Sequence, residues 1–186
     1  LPAIGGCAVD WGFTNTRGGS SVGDFASLNL SGQVGDDPTA VEANRAQVAG
    51  SFGVSRDQLI FMTQCQGSDI LVVDGPWSGE PPAVDGVVTT STHLALAVLV
   101  ADCTPILLVD QVAGVAGAVH AGRPGMMSGI ALRAVDAMTD LGARSIHAVV
   151  GPSVCGRCYE VPEALSAQVA LISPAAAAMS WQGTPA

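Results

Sequence analysis

The chain has 186 residues, of which 48% are hydrophobic, enough for the core of a single domain spanning residues 1–186. Only 12% are charged and the net charge is −9, which disfavours a nucleic-acid backbone or an anionic membrane as partner. The cysteine count is odd, which is not typical of a disulfide framework, so we expect reduced thiols in a cytoplasmic protein. The five cysteines are Cys7, Cys65, Cys103, Cys155 and Cys158.

The N-terminal half predicts short strands around one helix. Asp37 followed by Pro38 is typical of a helix start with Asp37 as the cap, and Gly53 is expected to end that helix. The proline- and glycine-rich stretch Asp74–Val84 predicts an exposed loop. The predicted strands are Val9–Thr16, Leu59–Thr63, Ile70–Val73 and Asp85–Thr90, with a polar loop at Ser20–Asn29.

The C-terminal half contains several runs that are apolar at every position. Strands of this kind are typical of a sheet that is covered on both sides, so the predicted fold class is α/β (α+β), a layered domain. Apolar residues at helical spacing predict a helix over Met126–Leu141, and Glu163 suits the first turn of another. The predicted strands are Leu94–Val100, Ile106–Val109, Val115–Val119 and Ile146–Val150, and the second helix is Pro162–Ile172.

Three reactive side chains lie at the ends of apolar runs between His93 and Gly125. Asp102 and Cys103 follow the first run, and His120 closes a later one. A buried cysteine or histidine is often only structural, but adjacent strands that end together bring such groups to a common edge. Thiolate and imidazole are ligands that zinc or copper prefers, and they also form a nucleophile–base pair, so both interpretations stay open.

The remaining cysteine and histidine motifs carry weaker signals. Cys155 and Cys158 form a C-x-x-C that could be half of a zinc site or a redox pair, but two thiols in a tight loop is the favoured interpretation. His93 lies too far along its strand from Cys103 to share a metal, at about 3.3 Å per residue. His147 is expected to be structural.

Asn44 and Arg45 lie early in the predicted first helix. A solvated helix face is the simpler interpretation of both residues. The alternative is a contact to an anion or a sugar, since the chain has only seven basic residues.

The ordered motifs of the chain resemble the YfiH family, also called the laccase-domain or peptidoglycan-editing-factor family. The match is spread over most of the chain, which makes chance resemblance improbable. The matching segments are T-N-T-R-G-G-S-S at 14–21, S-L-N-L at 27–30, V-G-D-D-P at 34–38, E-A-N-R at 42–45, D-G-V-V-T at 85–89, A-D-C-T-P at 101–105, H-A-G at 120–122, and G-P-S-V-C and C-Y-E-V within 151–161.

The resemblance implies a layered α/β sandwich with mixed sheets, similar to the catalytic domain of deamidating toxins that use a Cys–His pair. It implies a zinc-dependent purine nucleoside enzyme that phosphorolyses adenosine, inosine and methylthioadenosine and deaminates adenosine. It places the zinc ligands at Gln66, Cys103 and His120, with Asp102 in a supporting catalytic role. Asn44 and Arg45 are the candidate contacts to ribose or phosphate.

Two other functions are compatible with the same resemblance. One is a copper-dependent polyphenol oxidase, and the other is a metal-poor, non-catalytic homologue linked to editing of peptidoglycan precursors. The expected partners are a purine nucleoside and phosphate, without nucleic acid or membrane. The protein is expected to be a monomer or a small homo-oligomer.

The chain departs from the family pattern at three places. Gln66 stands where the family has the ligand histidine of Q-V-H-G, and the adjacent Cys65 is expected to face away from the site in an extended strand. The segment Gly122–Gly125 is G-R-P-G where the family has G-W-R-G. The family pattern also continues past the position of Ala186 with a C-terminal segment, and we expect either that the protein extends beyond this sequence or that it lacks that segment.

Overall fold

The computed structural model describes residues 8–186, so Cys7 lies outside the described residues. No helix in this range is long and apolar enough to cross a membrane. The α-helices are α1 (Pro38–Ser51), α2 (Arg123–Met127), α3 (Ile130–Asp140) and α4 (Glu163–Ile172), and the strands are β1 (Leu59–Ile60), β2 (Ile70–Val72), β3 (Gly86–Thr89), β4 (Ala95–Leu96), β5 (Thr104–Asp110), β6 (Val115–Ala121) and β7 (His147–Val150).

Five of the strands form one mixed sheet in the order β2-β3-β6-β5-β7. β2 and β3 are parallel, whereas β6 is antiparallel to both β3 and β5, and β5 is antiparallel to β7. The helix α3 covers one face of this sheet, where Ile130, Ala134 and Met138 pack against Val88 and Val119. β1 and β4 form a separate two-stranded parallel sheet.

The small sheet separates two cores by strand alternation. Ile60 and Met62 pack toward the large sheet, against Val87, Ala118 and other apolar side chains. Leu59 and Phe61, one residue out of phase, pack toward α1. This alternation explains why the segment is apolar at every position. The layers are therefore α3, the large sheet, the small sheet and α1, and the predicted layered fold with mixed sheets is confirmed.

The first helix is the local prediction with the clearest confirmation. Asp37 accepts a hydrogen bond from the Thr39 N–H at 2.9 Å, and Pro38 is the first helical residue. Gly53 follows the end of the helix with a φ of 69°, a conformation that glycine adopts without strain. The capping chemistry is local, so the sequence alone predicts it.

Several predicted strands and one helix differ in extent from the structure. Val9–Thr16 forms no strand, so that prediction is wrong. The predicted strands Leu59–Thr63 and Leu94–Val100 each contribute only two residues to the ladder. Beyond these residues the Leu99 backbone bonds to the Gln64 side chain and not to the backbone of the neighbouring strand. The Gln64 amide accepts from the Leu99 N–H at 2.8 Å and donates to the Leu99 carbonyl at 2.7 Å.

The predicted helix Met126–Leu141 is two helices. Gly129 adopts a φ of 77° between α2 and α3, and this left-handed conformation interrupts the helical hydrogen bonds. The first of the two, α2, begins at Arg123, directly after β6. The turn from β6 into α2 brings Gly122 to the edge of the sheet, where the candidate site lies.

Asp110 is a buried carboxylate at the end of β5 that joins two turns. One oxygen accepts hydrogen bonds from the N–H groups of Val112 and Ala113, and the other from those of Arg144 and Ser145, at 2.7 to 2.9 Å. These backbone donors hold the pKa of Asp110 well below its ordinary value of 3.8.

Replacing Asp110 with asparagine is expected to destabilise the protein at pH 7, and the loss should shrink as the pH falls below about 4. The pKa is lower in the folded than in the unfolded chain, so the carboxylate stabilises the fold above the unfolded value and loses this effect as it is protonated. Urea unfolding at pH 7 and pH 3 measures the difference, with Asp74→Asn in the exposed loop as control. An equal loss at both pH values would contradict the assignment.

Candidate active site

The candidate site is built at one edge of the large sheet by the register of β3 and β6. Val87 of β3 lies opposite Ala118 of β6, and the two strands are antiparallel. Two residues before Val87 and two residues after Ala118, Asp85 therefore lies opposite His120 on the same face of the sheet. The backbone confirms this pairing, since the His120 N–H donates to the Asp85 carbonyl at 2.8 Å. Asp85 is fully buried and His120 is only 4% exposed.

The Asp85 carboxylate orients His120. Its Oδ1 lies 2.7 Å from His120 Nδ1, and because a carboxylate only accepts, Nδ1 carries the proton. His120 Nε2 is then left to act as a donor atom toward a metal or as a base. Within the range 8–186, no residue forms a hydrogen bond with His120 Nε2. Every buried side-chain nitrogen in this range has a hydrogen-bond partner, so the unpaired Nε2 is accessible to solvent.

The same carboxylate organises the loop before β2. It accepts hydrogen bonds from the N–H groups of Cys65 at 3.2 Å, Gln66 at 3.0 Å and Gly67 at 2.6 Å. Burial alone would raise the pKa of Asp85, but the hydrogen bonds from His120, Gly67 and Cys65 outweigh it and hold the pKa below its ordinary value. Asp85 is therefore an ionised residue that connects the loop to His120.

Asp85 was not among the predicted site residues, although it begins the D-G-V-V-T motif. The available signal was an acidic residue at the start of the predicted strand Asp85–Thr90, whose central residues are apolar. A carboxylate that is buried at the start of a strand requires several hydrogen-bond donors, and such a carboxylate is a candidate for orienting a site residue.

The expectation that Cys65 faces away from the site is wrong. Gln66 adopts a φ of 63°, so residues 65–67 form a turn and not an extended strand. The Cys65 thiol donates to Asp85 Oδ2 at 3.1 Å, and this bond, with burial and the aspartate charge, raises the pKa of Cys65. Cys65 is thus a protonated thiol that contacts the carboxylate behind His120.

Gln66 connects this turn to Cys103. Its Nε2 lies 3.8 Å from Cys103 Sγ, within the range of a hydrogen bond to sulfur. A Cβ atom at position 122 would overlap the Gln66 side chain, so Gly122 leaves the space that this side chain occupies. The structure therefore brings the Gln66 side chain beside Cys103, while the Gln66 backbone N–H and His120 share the Asp85 carboxylate.

Cys103 lies directly before β5 and not at the end of a long strand as expected. In the β5–β6 register Pro105 is opposite His120, so Cys103, two residues earlier, lies at the same edge of the sheet. Cys103 is half-buried and its neighbour Asp102 is exposed. The Asp102 carbonyl accepts a hydrogen bond from the Val154 N–H at 3.0 Å.

The donor groups at this edge of the sheet are of types that metals bind, but they form an incomplete ligand set. Among residues 8–186, no three histidine, cysteine, aspartate or glutamate side chains converge as metal ligands. With Gln66 included, the set is a thiol, a carboxylate-oriented imidazole and an amide. The first two suit zinc or copper, and the carboxylate–histidine pair is the usual support of a metal ligand. The amide would have to turn its oxygen toward the metal, and an amide oxygen is a weaker zinc donor than imidazole.

Asn44 and Arg45 lie on α1 and bind the chain itself. Asn44 is fully buried, and its amide donates to Ser21 Oγ and to the carbonyls of Ser27 and Asn29, while it accepts from the Ser20 N–H. Their predicted contact to substrate stays a prediction.

Arg45 is equally occupied by groups of the chain. It donates from Nε to the Leu30 carbonyl at 2.8 Å and from its terminal nitrogen to Glu42 at 3.0 Å. Its guanidinium also lies 4.4 Å from the centroid of the Phe61 ring. Burial lowers the pKa of Arg45, and the Glu42 charge opposes this effect.

Replacing Asn44 with alanine is expected to destabilise the fold by about 2–4 kcal/mol, because the fully buried Asn44 side chain makes four hydrogen bonds to the 20–29 loop, one of them to the buried Ser21 hydroxyl. Thermal or urea unfolding measures the loss. Gln47→Ala on the same helix is the control, since Gln47 is exposed and makes a single bond to the Gly18 carbonyl. A variant with unchanged stability and a raised KM would instead support a substrate contact.

A cavity of about 1000 Å³ lies away from these groups. It is bounded by the irregular segment 8–16, by residues 94–101 and by β5 and β6, and its lining includes none of Gln66, Cys103 and His120. The candidate site is therefore defined by the donor groups at the sheet edge and not by the large cavity.

The comparisons with known proteins agree on one family. The family described as "Multi-copper polyphenol oxidoreductase laccase" matches residues 10–185. A purine nucleoside phosphorylase of Streptomyces coelicolor is 54% identical over 95% of this chain and 74% of its own length. One of Mycobacterium bovis is 45% identical over 92% of this chain and 70% of its own length.

Solved structures show the same relationship. YlmD of Geobacillus stearothermophilus superposes with a TM-score of 0.77 at 34% identity, over 83% of this chain and 61% of that one. YfiH of Bacillus licheniformis superposes with a TM-score of 0.77 at 30% identity, over 83% and 62%. The chain thus spans about three fifths of these solved proteins.

Proposed function

The chain belongs to the YfiH family, and from that premise we propose that it is a purine nucleoside phosphorylase. The observation that carries the proposal is the name of its relatives, since proteins 54% and 53% identical to it over 95% and 96% of its length are purine nucleoside phosphorylases. The proposed substrates are adenosine, inosine and methylthioadenosine with phosphate, and adenosine deamination is the proposed side activity.

Zinc is the cofactor of this proposal, because thiolate and imidazole are ligands that zinc prefers. Cys103 and His120 would hold the ion, with Gln66 as a weak third ligand. When bound, zinc supplies a Lewis acid that polarises substrate or lowers the pKa of a bound water. Asp85 keeps His120 in the tautomer whose Nε2 offers a lone pair, and the buried Oδ1–Nδ1 bond fixes the ring plane.

The exposed Asp102 suits proton exchange with the substrate. In phosphorolysis a phosphate oxygen forms a bond to ribose C1′ while the bond between C1′ and the purine breaks, and the purine leaves with the electron pair and takes up a proton. The Asp102 carboxylate makes no hydrogen bond within residues 8–186 that would occupy it. It is therefore the group we assign to orienting the ligand or to relaying this proton from solvent to the purine.

The test is turnover of adenosine with and without phosphate by freshly purified protein whose zinc content is known. Adenine and ribose 1-phosphate that appear only with phosphate support phosphorolysis, and inosine reports deamination separately. A protein with neither stoichiometric zinc nor any product contradicts the proposal. That outcome favours the metal-poor, non-catalytic homologue.

A second candidate function is copper-dependent oxidation of phenols, because the family description names it. The chain has three histidines, and only His120 lies at the candidate site, since His93 and His147 are exposed elsewhere. A multi-copper cluster needs more imidazole donors than this. Oxygen uptake by copper-loaded protein with a phenol, without nucleoside turnover, would favour this function over phosphorolysis.

The proposed partners are a purine nucleoside and phosphate. A cytoplasmic location and a monomeric or small homo-oligomeric state stay predictions.

A further inference from the structure

The C-x-x-C segment lies in a tight turn that brings its two cysteines together. The Cys158 N–H donates to the Cys155 carbonyl at 2.8 Å, which is the hydrogen bond of a four-residue β-turn. Such a turn keeps its first and last Cα atoms within about 7 Å, and a disulfide requires about 4.4–6.8 Å. Both cysteines are exposed and unbonded to other cysteines.

The pKa values of the two thiols in this turn are shifted in opposite directions. The Arg157 N–H lowers the pKa of Cys155, and the thiol of Cys158 adds to this by donating to the Cys155 sulfur. The same contact raises the pKa of Cys158. Of the two thiols in this turn, Cys155 is therefore the one that becomes a nucleophilic thiolate more readily, and Cys158 is the second thiol of an exchange-active dithiol.

Neighbouring segments hold the turn in place without covering the sulfurs. The Trp181 N–H donates to the Arg157 carbonyl at 3.1 Å, and the Arg157 guanidinium lies 4.6 Å from the centroid of the Trp181 ring. Just before the turn, the Val154 N–H binds the Asp102 carbonyl at 3.0 Å. The dithiol is thus attached at one end to the segment that carries Cys103.

We propose that Cys155 and Cys158 form a dithiol–disulfide exchange site that reacts with small disulfides. The Cys155 thiolate attacks one sulfur of the small disulfide, forms a mixed disulfide and expels a thiolate. Cys158 loses its proton and attacks the Cys155 sulfur, which expels the second thiolate. Two protein thiols are oxidised by two electrons, the small disulfide is reduced to two thiols, and the two protons leave with them.

The test uses the position of Arg157 between the cysteines. The whole protein is equilibrated with oxidised glutathione, remaining thiols are alkylated, and trypsin then cuts after Arg144 and Arg157. Cys155 falls on the peptide 145–157 and Cys158 on the peptide that begins at residue 158, since Arg157 is the only lysine or arginine within 145–186. We expect mass spectrometry to find these two peptides joined, and to find them separate again after dithiothreitol.

Matched variants decide between this site and other reactions. Cys155→Ser and Cys158→Ser should each abolish the joined peptides, and Cys158→Ser should accumulate glutathione on Cys155. Wild-type peptides that stay separate, each alkylated or each carrying glutathione, would overturn the proposal. A disulfide from either cysteine to Cys65 or Cys103 would also overturn it. None of these readouts depends on nucleoside turnover, so the result is independent of the proposed function.

Discussion

Replacing Asp85 with asparagine is expected to lower nucleoside turnover or zinc affinity by about 10–100-fold, the usual cost of losing the group that orients a ligand histidine. Asparagine cannot accept from His120 and from the three backbone N–H groups of residues 65–67 at once, because one of its two terminal atoms is a donor. We also expect a stability loss of about 1–3 kcal/mol from the unpaired buried donors. Metal analysis, turnover and urea unfolding of the same preparation measure the three effects.

Asp110→Asn is the matched control for this prediction. Asp110 is also a buried aspartate that accepts from four backbone N–H groups, but it binds no histidine. It should lose stability while the folded protein keeps its turnover and zinc. If Asp85→Asn behaves in the same way, the carboxylate serves only the loop, and its role in orienting His120 is contradicted.

Replacing Gln66 with histidine is expected to raise zinc affinity by about tenfold or more, since even outer-shell changes alter metal affinity by about 10–100-fold. The change supplies an imidazole next to Cys103 where an amide now lies. Histidine tolerates the left-handed conformation of this position, with φ of 63°, better than most residues. Zinc titration against a competing chelator measures the affinity, and turnover of adenosine with phosphate should rise with it.

Two variants separate a completed site from general effects. Gln33→His adds an imidazole at an exposed position away from the site and should leave zinc affinity unchanged. Gln66→Ala removes the amide and should weaken zinc binding if that amide is a ligand. Equal zinc affinity in Gln66→His and the wild type would count against a metal site at Cys103 and His120.

The interior of the fold shows how far local patterns extend. The helix α1 was predictable at both ends, because Asp37, Pro38 and Gly53 act through their own backbone neighbours. The lengths of the β1 and β4 strands were not, because the ladder ends where the Gln64 side chain bonds to Leu99, 35 residues away. The apolar pattern of a strand does not change where a side chain replaces its backbone partner, so the pattern does not predict where the strand ends.

The sequence by itself determined the residue types and the layered class. Strands apolar at every position required cover on both faces, and Cys103 and His120 stood out as candidate ligands at the ends of such runs. Gln66 was identifiable as a departure from the family motif from the letters alone.

Only the tertiary structure decided which groups support these residues. The register of β3 against β6 places Asp85 behind His120, and the positive φ of Gln66 turns Cys65 toward the same carboxylate. The turn from Cys155 to Cys158 likewise brings two thiols together. Strand register and turn geometry depend on contacts between distant segments. The periodicity of one strand does not determine how that strand is aligned with its neighbour.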